Sequence, residues 1–276
     1  MTIKSFLLRF ILVIFIMLGY YQFTGGFQQL FLLITKDSMG INQATELFAN
    51  IQHFIFWFFM IIILIFIYFT NKNNNETRIL NEILFEKVDI EKYIQLIKEK
   101  IEKSKFAKSY NTSKMDLATG LIAQGDFEKA IEAMKSIDPK KLPLYDRGFY
   151  YNNLAAMQAD NDKLNDAIET FNKGIGYINS QLTNNQYDGY RLKTLAKIEL
   201  LKGNYEKAEE LLLIALNKPL LNHHYVNSIN LLLAKVYIKT NRTDQARKIL
   251  EYTMTRKMMP VTKKETEELL NKIKEK

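Results

Sequence analysis

A short pattern that occurs four times limits most strongly what this chain can fold into. "GDFEKAIEAM" begins at Gly125 and "GNYEKAEELLLIAL" at Gly203, each with glycine, a polar residue, an aromatic residue, Glu, Lys and Ala. Aligned on that alanine, the copies lie at Ala130, Ala167, Ala208 and Ala246, which are 37, 41 and 38 residues apart. Each copy follows a turn-forming segment and, before it, a helical apolar pattern. A helix, a short turn and a second helix at a nearly fixed period predict a helical solenoid.

Small residues recur in the first helix of each unit as well. A leucine stands directly before an alanine at Leu117-Ala118, Leu154-Ala155, Leu195-Ala196 and Leu233-Ala234. Two helices approach each other to about 8 Å only where such small side chains meet. We therefore expect the aligned alanine of the second helix to face this step, while Phe127, Leu164 and Tyr205 fill the space between repeats.

The combined pattern resembles the tetratricopeptide repeat, in which a Leu-Gly or Leu-Ala step precedes an alanine and a large apolar residue four positions after it. Those last two positions are matched by Ala130 and Met134, Ala167 and Phe171, Ala208 and Leu212, and Ala246 and Leu250. The resemblance covers about residues 112–259. It implies paired antiparallel helices whose first members line a concave groove that binds peptides or partner helices.

The sequence also predicts how the solenoid begins and ends. "VDIEKYIQLIKEKI" repeats the pattern with Tyr93 in place of the alanine, which predicts a degenerate first repeat at about 77–108. Thr262 and Glu265 have the spacing of a capping box and predict a final capping helix at about 262–275. Residues 77–276 are therefore expected to form an all-α, tetratricopeptide-like solenoid.

The first seventy residues differ sharply in composition, because they are apolar and almost uncharged. Residues 51–70 contain no charge and are long enough to cross a bilayer. Residues 5–23 form a second apolar run, interrupted by Arg9, whose stem can extend to the headgroups. We predict a two-helix transmembrane hairpin with an outer loop at 24–50 and a polar linker at 71–76. Cleavage of the first run as a signal peptide is the alternative.

Positive charge flanks the outer ends of this hairpin. Lys4 precedes the first apolar run and Arg9 lies near its start, while Lys72 and Arg78 follow the second run. The loop between the two runs contains one basic residue, Lys36. This distribution predicts that both termini and the solenoid lie in the cytosol. The frequency of Lys, Asn and Ile is typical of an AT-rich bacterial genome and favours the bacterial plasma membrane.

Candidate binding residues follow from the groove that the resemblance implies. The positions that match its inner face are Asn152, Asn153, Lys193, Lys197, Lys235 and Lys239. Lysines four apart share one helix face, and amides and lysines together can hold carboxylates, so an acidic partner is expected. The alternative is that these lysines are merely solvated.

A second basic cluster follows the linker, at Lys98, Lys100, Lys103, Lys105 and Lys108. It could rest on anionic lipid headgroups, although Glu99 and Glu102 dilute its charge.

No catalytic or cofactor-binding signature occurs in the chain. It has no cysteine, glycine-rich phosphate loop or nucleophile elbow, and the adjacent His223 and His224 would not chelate one metal well. We read these histidines as solvent-facing or capping residues. The sequence therefore predicts no enzyme activity, cofactor, metal or small-molecule substrate. Basic residues interleaved with acidic ones, without an aromatic stacking platform, argue against nucleic-acid binding.

These observations predict a membrane-anchored adaptor that binds a protein or acidic peptide through the concave face of its solenoid. The alternative is a structural or regulatory subunit of a membrane complex that assembles mainly through its transmembrane hairpin.

Overall fold

The computed structural model describes residues 28, 31, 41–104, 106–180, 185–218 and 223–275. The chain divides into two compact units, residues 1–77 and 78–276, which are described separately here. Helices and turns make up the described residues, and no strand occurs among them.

The first unit is described chiefly by helix α1, Ile41–Asn81, which continues into the second unit. Its apolar side chains are exposed, among them Phe54, Trp57 and Phe66. By length and composition, the segment Thr45–Lys87 is the one candidate membrane span among the described residues, and none of its apolar window is buried. The predicted first span at 5–23 lies outside the described residues, so the two-span hairpin is not supported.

The predicted loop and linker differ from the structure. Residues 41–50 of the loop and 71–76 of the linker are helical and belong to α1. The asparagines of the linker have modest helix propensity, but the segment contains no proline or glycine to interrupt a helix already formed by the apolar residues before it.

The second unit consists of helix pairs joined by short turns. A π-helical segment, Glu82–Lys87, prolongs α1 and is followed by α2, Ile90–Glu102. The next helices are α3, Ala107–Gln124; α4, Phe127–Lys135; α5, Leu144–Asp160; α6, Leu164–Asn179; α7, Asn185–Lys202; and α8, Tyr205–Leu216. The last are α9, His223–Lys239; α10, Thr243–Met254; and α11, Pro260–Lys274. Pro139–Lys141 forms a 3-10 turn before α5.

The turns within the pairs explain the residues that precede each copy of the pattern. Gly125 and Gly203 adopt left-handed backbone angles, with φ of 93° and 83°. Asp162 and Asn241 adopt the same region in the other two turns, as short polar residues do more readily than most. We name the side of the solenoid where these turns lie the turn edge. The side where α3, α5, α7 and α9 begin is the opposite edge.

The small residues pack as expected. Ala130, Ala167, Ala208 and Ala246 are all 0% exposed, and the alanines of the Leu-Ala steps are buried against them. In the degenerate first repeat, Tyr93 takes the alanine position and is buried. It fits because α3 presents Gly120, where an added Cβ would lie 2.9 Å from the Tyr93 ring.

The final helix begins earlier than its predicted capping box. α11 starts at Pro260, which suits the first helical position because its missing N–H would have no partner there. Thr262 therefore lies inside the helix, where its carbonyl accepts a bond from the Thr266 hydroxyl.

The last repeats of the second unit contact its first. His224 Nε2 lies 2.6 Å from the Phe85 carbonyl oxygen, and Lys257 Nζ donates to the carbonyl of Glu86. Val261 packs beside Gly125, in the same apolar cluster as Ile94. These contacts join the turn edge of the first repeats to the amino ends of α9 and α11, so the solenoid closes on itself.

The expectation that both histidines face solvent or cap a helix is wrong for His224, which closure buries. Burial, with smaller effects from His223 and Lys257, lowers the pKa of its imidazole, although the bond to Phe85 opposes this.

We expect Asp116→Asn to stabilise the fold at pH 8 and to change little at pH 4. Burial on α3 raises the Asp116 pKa to about 6, Lys100 opposes the shift and Asp146 adds to it. Because the raised pKa means that the folded state binds this proton more tightly than the unfolded state, the wild type loses stability as pH rises from about 4 through 6. We expect the variant to gain about 1–3 kcal/mol at pH 8.

Thermal unfolding followed by circular dichroism at both pH values tests this. Glu251→Gln, which removes an exposed carboxylate on α10, is the control. An equal gain for Asp116→Asn at pH 4 and pH 8 would show that the buried charge is not its cause.

Candidate partner-binding groove

One cavity of about 930 Å³ lies within the second unit. Its walls come from the carboxyl-terminal ends of α3, α5, α7 and α9, the start of α8, and the inner face of α11. Charged residues on these walls include Asp160, Lys197, Lys235, Lys239, Lys264 and Glu265; apolar surface comes from residues such as Leu200, Leu232 and Leu269. We call this cavity the groove.

Two of the predicted lysines line the groove but are engaged in ion pairs. Lys197 Nζ lies 2.6 Å from Asp160 Oδ2, which joins α7 to α5. Lys235 Nζ lies 2.5 Å from Glu265 Oε1, which joins α9 to α11. Both pairs are partly buried, so their charges are largely neutralised within the protein.

Two other lysines are more available. Lys239, at the end of α9, and Lys264, in the first turns of α11, are exposed and line the groove. Neither forms an ion pair with any residue that the structure describes. Asp162 and Glu268 also line the groove, so its walls carry charges of both signs. The groove therefore offers localised cationic positions beside apolar surface.

Lys193 is not one of these positions. Its Nζ donates to Ser228 Oγ at 3.2 Å and lies 4.5 Å from the centre of the Tyr225 ring, so α9 covers it. Burial lowers its pKa to about 7, with Lys197 adding to the effect and Asp160 opposing it. Lys193 and Lys197 were predicted to line the groove together, but only Lys197 belongs to its walls.

The two predicted asparagines also lie away from the groove. Asn152 is 2% exposed, and its Oδ1 has no hydrogen-bond partner among the described residues. Asn153 is half-buried on the same helix, and neither residue belongs to the groove walls. Asn152 and Lys193 each precede a Leu-Ala step by two positions. This position is buried because the first helix of one repeat packs there against the first helix of the next repeat.

Several of the groove residues that the sequence did not reveal are on α11. Lys264, Glu265 and Glu268 belong to a helix that the sequence marks only as a cap. They reach the groove because the solenoid closes, and no local pattern encodes that closure.

The described residues contain no group of three or more His, Cys, Asp or Glu residues that could hold a metal ion.

A comparison with curated proteins found no match for the chain. Two solved structures are similar to it: the nearly identical TPR-like repeats of a protein described as a kinesin light chain from Podosopora anserina, and a Q17M variant of them. The variant has a TM-score of 0.43, 18% identity, and coverage of 67% of this chain and 93% of that one. The other has a TM-score of 0.42, 18% identity, and coverage of 67% and 94%.

A family model described as the SusR N-terminal TPR domain matches residues 91–266, which is well over half of the chain. The match begins in α2 and ends in α11, so it spans the helix pairs that form the groove. The chain therefore belongs to the family of the SusR N-terminal tetratricopeptide-repeat domain.

Proposed function

We propose that this protein is a membrane-anchored adaptor that binds an acidic segment of a partner protein in the groove. The observation that carries the proposal is the groove itself, where exposed Lys239 and Lys264 lie beside apolar surface. Tetratricopeptide-repeat domains generally mediate protein–protein interaction, which supports a protein as the partner.

The charges of the groove suggest how such a segment would bind. Lys239 and Lys264 attract it first, because neither forms an ion pair among the described residues. Lys197 and Lys235 are already held by Asp160 and Glu265, which keep them oriented toward the groove. A partner carboxylate can share these ammonium groups, since each has three donors. Its apolar side chains then cover Leu200 and Leu232.

The anchor in this proposal is the apolar part of α1. A helix whose aromatic and aliphatic side chains are mostly exposed, with none of its apolar window buried, is suited to lipid rather than water. Lys72, Arg78 and Lys87 follow the apolar stretch, which supports a cytosolic solenoid at the bacterial plasma membrane. The segment at 5–23 is the proposed first span.

We expect the double variant Lys239→Glu and Lys264→Glu to bind the partner about ten-fold more weakly, because two attractive contacts become repulsive. The measurement is a crosslinking pull-down from native membranes, with the captured partner quantified against the wild type. Lys173→Glu with Lys248→Glu is the matched control, since both lysines are exposed on second helices of the pairs, away from the groove.

Partner capture that survives the groove variant, in a chain with unchanged circular dichroism, would contradict groove binding. If residues 1–77 alone then retain the partner, the chain assembles through its membrane segment instead.

A further inference from the structure

A second surface of the solenoid, separate from the groove, exposes large apolar side chains. Phe106 is 76% exposed, Leu144 66%, Tyr145 54% and Tyr110 37%. Phe106 and Tyr110 begin α3, while Leu144 and Tyr145 begin α5. We call these four residues the aromatic patch; it lies on the opposite edge, away from the turns.

Contacts place the two halves of the patch side by side. α3 contacts α5. Burial raises the pKa of Asp146, in the first turn of α5, and Lys108, in the first turn of α3, opposes that shift. Tyr145 packs against Phe149 with ring centroids 5.1 Å apart, and Phe149 against Tyr187 of α7 at 4.4 Å. The patch is therefore a row along the starts of neighbouring first helices.

Basic residues surround the row. Lys108, Lys140 and Lys141 are exposed, and Arg147 Nη2 donates to the Lys140 carbonyl at 2.9 Å, which holds the 3-10 turn against α5. Within six positions of the patch in sequence, the basic residues are Lys100, Lys103, Lys105, Lys108, Lys114, Lys140, Lys141 and Arg147, and the acidic residues are Glu102, Asp116, Asp138 and Asp146. The surface is thus apolar at its centre and net positive at its margin.

The first residues of the second unit run in the same direction as α3. Residues 78–87 run to the turn at Val88 and Asp89, α2 returns, and α3 runs in the first direction again. Residues 78–87 therefore run from the side of the opposite edge toward the turn edge, in the same direction as α3.

We propose that this edge rests on an anionic lipid bilayer, with Phe106 and Leu144 inserted among the headgroups and Lys108, Lys140 and Lys141 on lipid phosphates. The side chains are exposed at the amino ends of two helices, and aromatic residues among lysines suit the membrane interface. The inference rests on the proposed membrane anchor, because a tethered surface meets lipid at high effective concentration.

The absence of cysteine in the sequence allows a direct test. The full chain is reconstituted in phosphatidylcholine vesicles with or without about a third phosphatidylglycerol. A fluorophore is attached at Ala107→Cys, beside the patch, or at Glu128→Cys, near the turn edge; both positions are exposed. Quenching by nitroxide-labelled lipid reports which edge meets the bilayer.

We expect the label at position 107 to be quenched several-fold more than the label at 128, and only in vesicles that contain phosphatidylglycerol. Phe106→Ser with Leu144→Ser should bring the two labels to the same level. Ile175→Ser with Leu213→Ser, which removes exposed apolar side chains from α6 and α8, should leave the difference intact.

Equal quenching of the two labels would overturn the proposal. A difference that grows with the protein-to-lipid ratio would overturn it too, because a second copy of the chain would then cover the patch. Flotation of the vesicles separates this result from the anchor: a chain that does not float with lipid contradicts the proposed span, whereas one that floats with equal quenching contradicts only the docking.

Discussion

Replacing Gly174 with alanine is expected to lower the stability of the solenoid by about 3 kcal/mol. Gly174 lies on α6 where that helix crosses α5, and an added Cβ would come within 2.2 Å of Tyr151 Cβ and 2.4 Å of its Cγ. The backbone fixes the position of the Tyr151 Cβ, so no rotation of the tyrosine side chain can relieve the overlap with that atom. The two helices must move apart, and the cluster around Phe171 and Ala155 loses contacts.

Gly176 supplies the matched control on the same helix. Nothing lies within 4 Å of a Cβ added there, so Gly176→Ala should instead stabilise α6 by about 0.5–1 kcal/mol through helix propensity alone. Urea unfolding of the full chain in detergent, followed by circular dichroism, compares the two. If both variants shift the urea midpoint in the same direction, Gly174 is not required for the close approach of α5 and α6.

Lys193→Met should stabilise the protein at pH 7, with a gain that shrinks as pH rises toward 10. Burial lowers the Lys193 pKa to about 7 from an ordinary value of 10.5. Between these values the unfolded chain binds a proton that the folded chain does not, so wild-type stability rises with pH across this window. Below pH 7 both states are protonated and the cost of the buried charge is fully present.

The size of the effect is the balance of two opposing contributions. The pKa difference alone corresponds to about 5 kcal/mol, an upper bound for a partly exposed side chain. Methionine gives up the bond to Ser228 and the contact with the Tyr225 ring, so we expect a net gain of about 1–3 kcal/mol.

Thermal unfolding at several pH values between 6 and 10 checks the Lys193 prediction, with Lys239→Met as the control because Lys239 is exposed. If the stability difference between Lys193→Met and the wild type is the same at every pH, Lys193 stays charged in the folded protein.

The repeat architecture could be read from the sequence because it is local. Each alanine at the closest point of two helices must be small, and each turn needs a residue that tolerates left-handed backbone angles. The second helices α4, α6 and α8 start at Phe127, Leu164 and Tyr205, the residues singled out in the sequence pattern. The same logic placed the degenerate first repeat, because Tyr93 keeps the alanine position.

The groove could be predicted only in part, because its chemistry depends on contacts between distant residues. Spacing alone made Lys193 and Lys197 look equivalent, yet one is covered by Tyr225 of the next repeat and the other binds Asp160 of the previous one. Lys264 and Glu265 enter the groove through a closure that joins residues more than a hundred positions apart, as at His224 and Phe85. Helical periodicity carries no information on such distances.

Closure also changes how the solenoid should respond to disturbance. In an open stack each repeat touches only its neighbours, so stability is nearly a sum along the chain and the terminal units fray first. Here Lys257 and Val261, near the end of the solenoid, contact Glu86 and Gly125 in its first repeats. Neither end can therefore unfold without breaking contacts with the other. A loss of packing at one end is therefore felt at the other, and the array behaves as a single cooperative body.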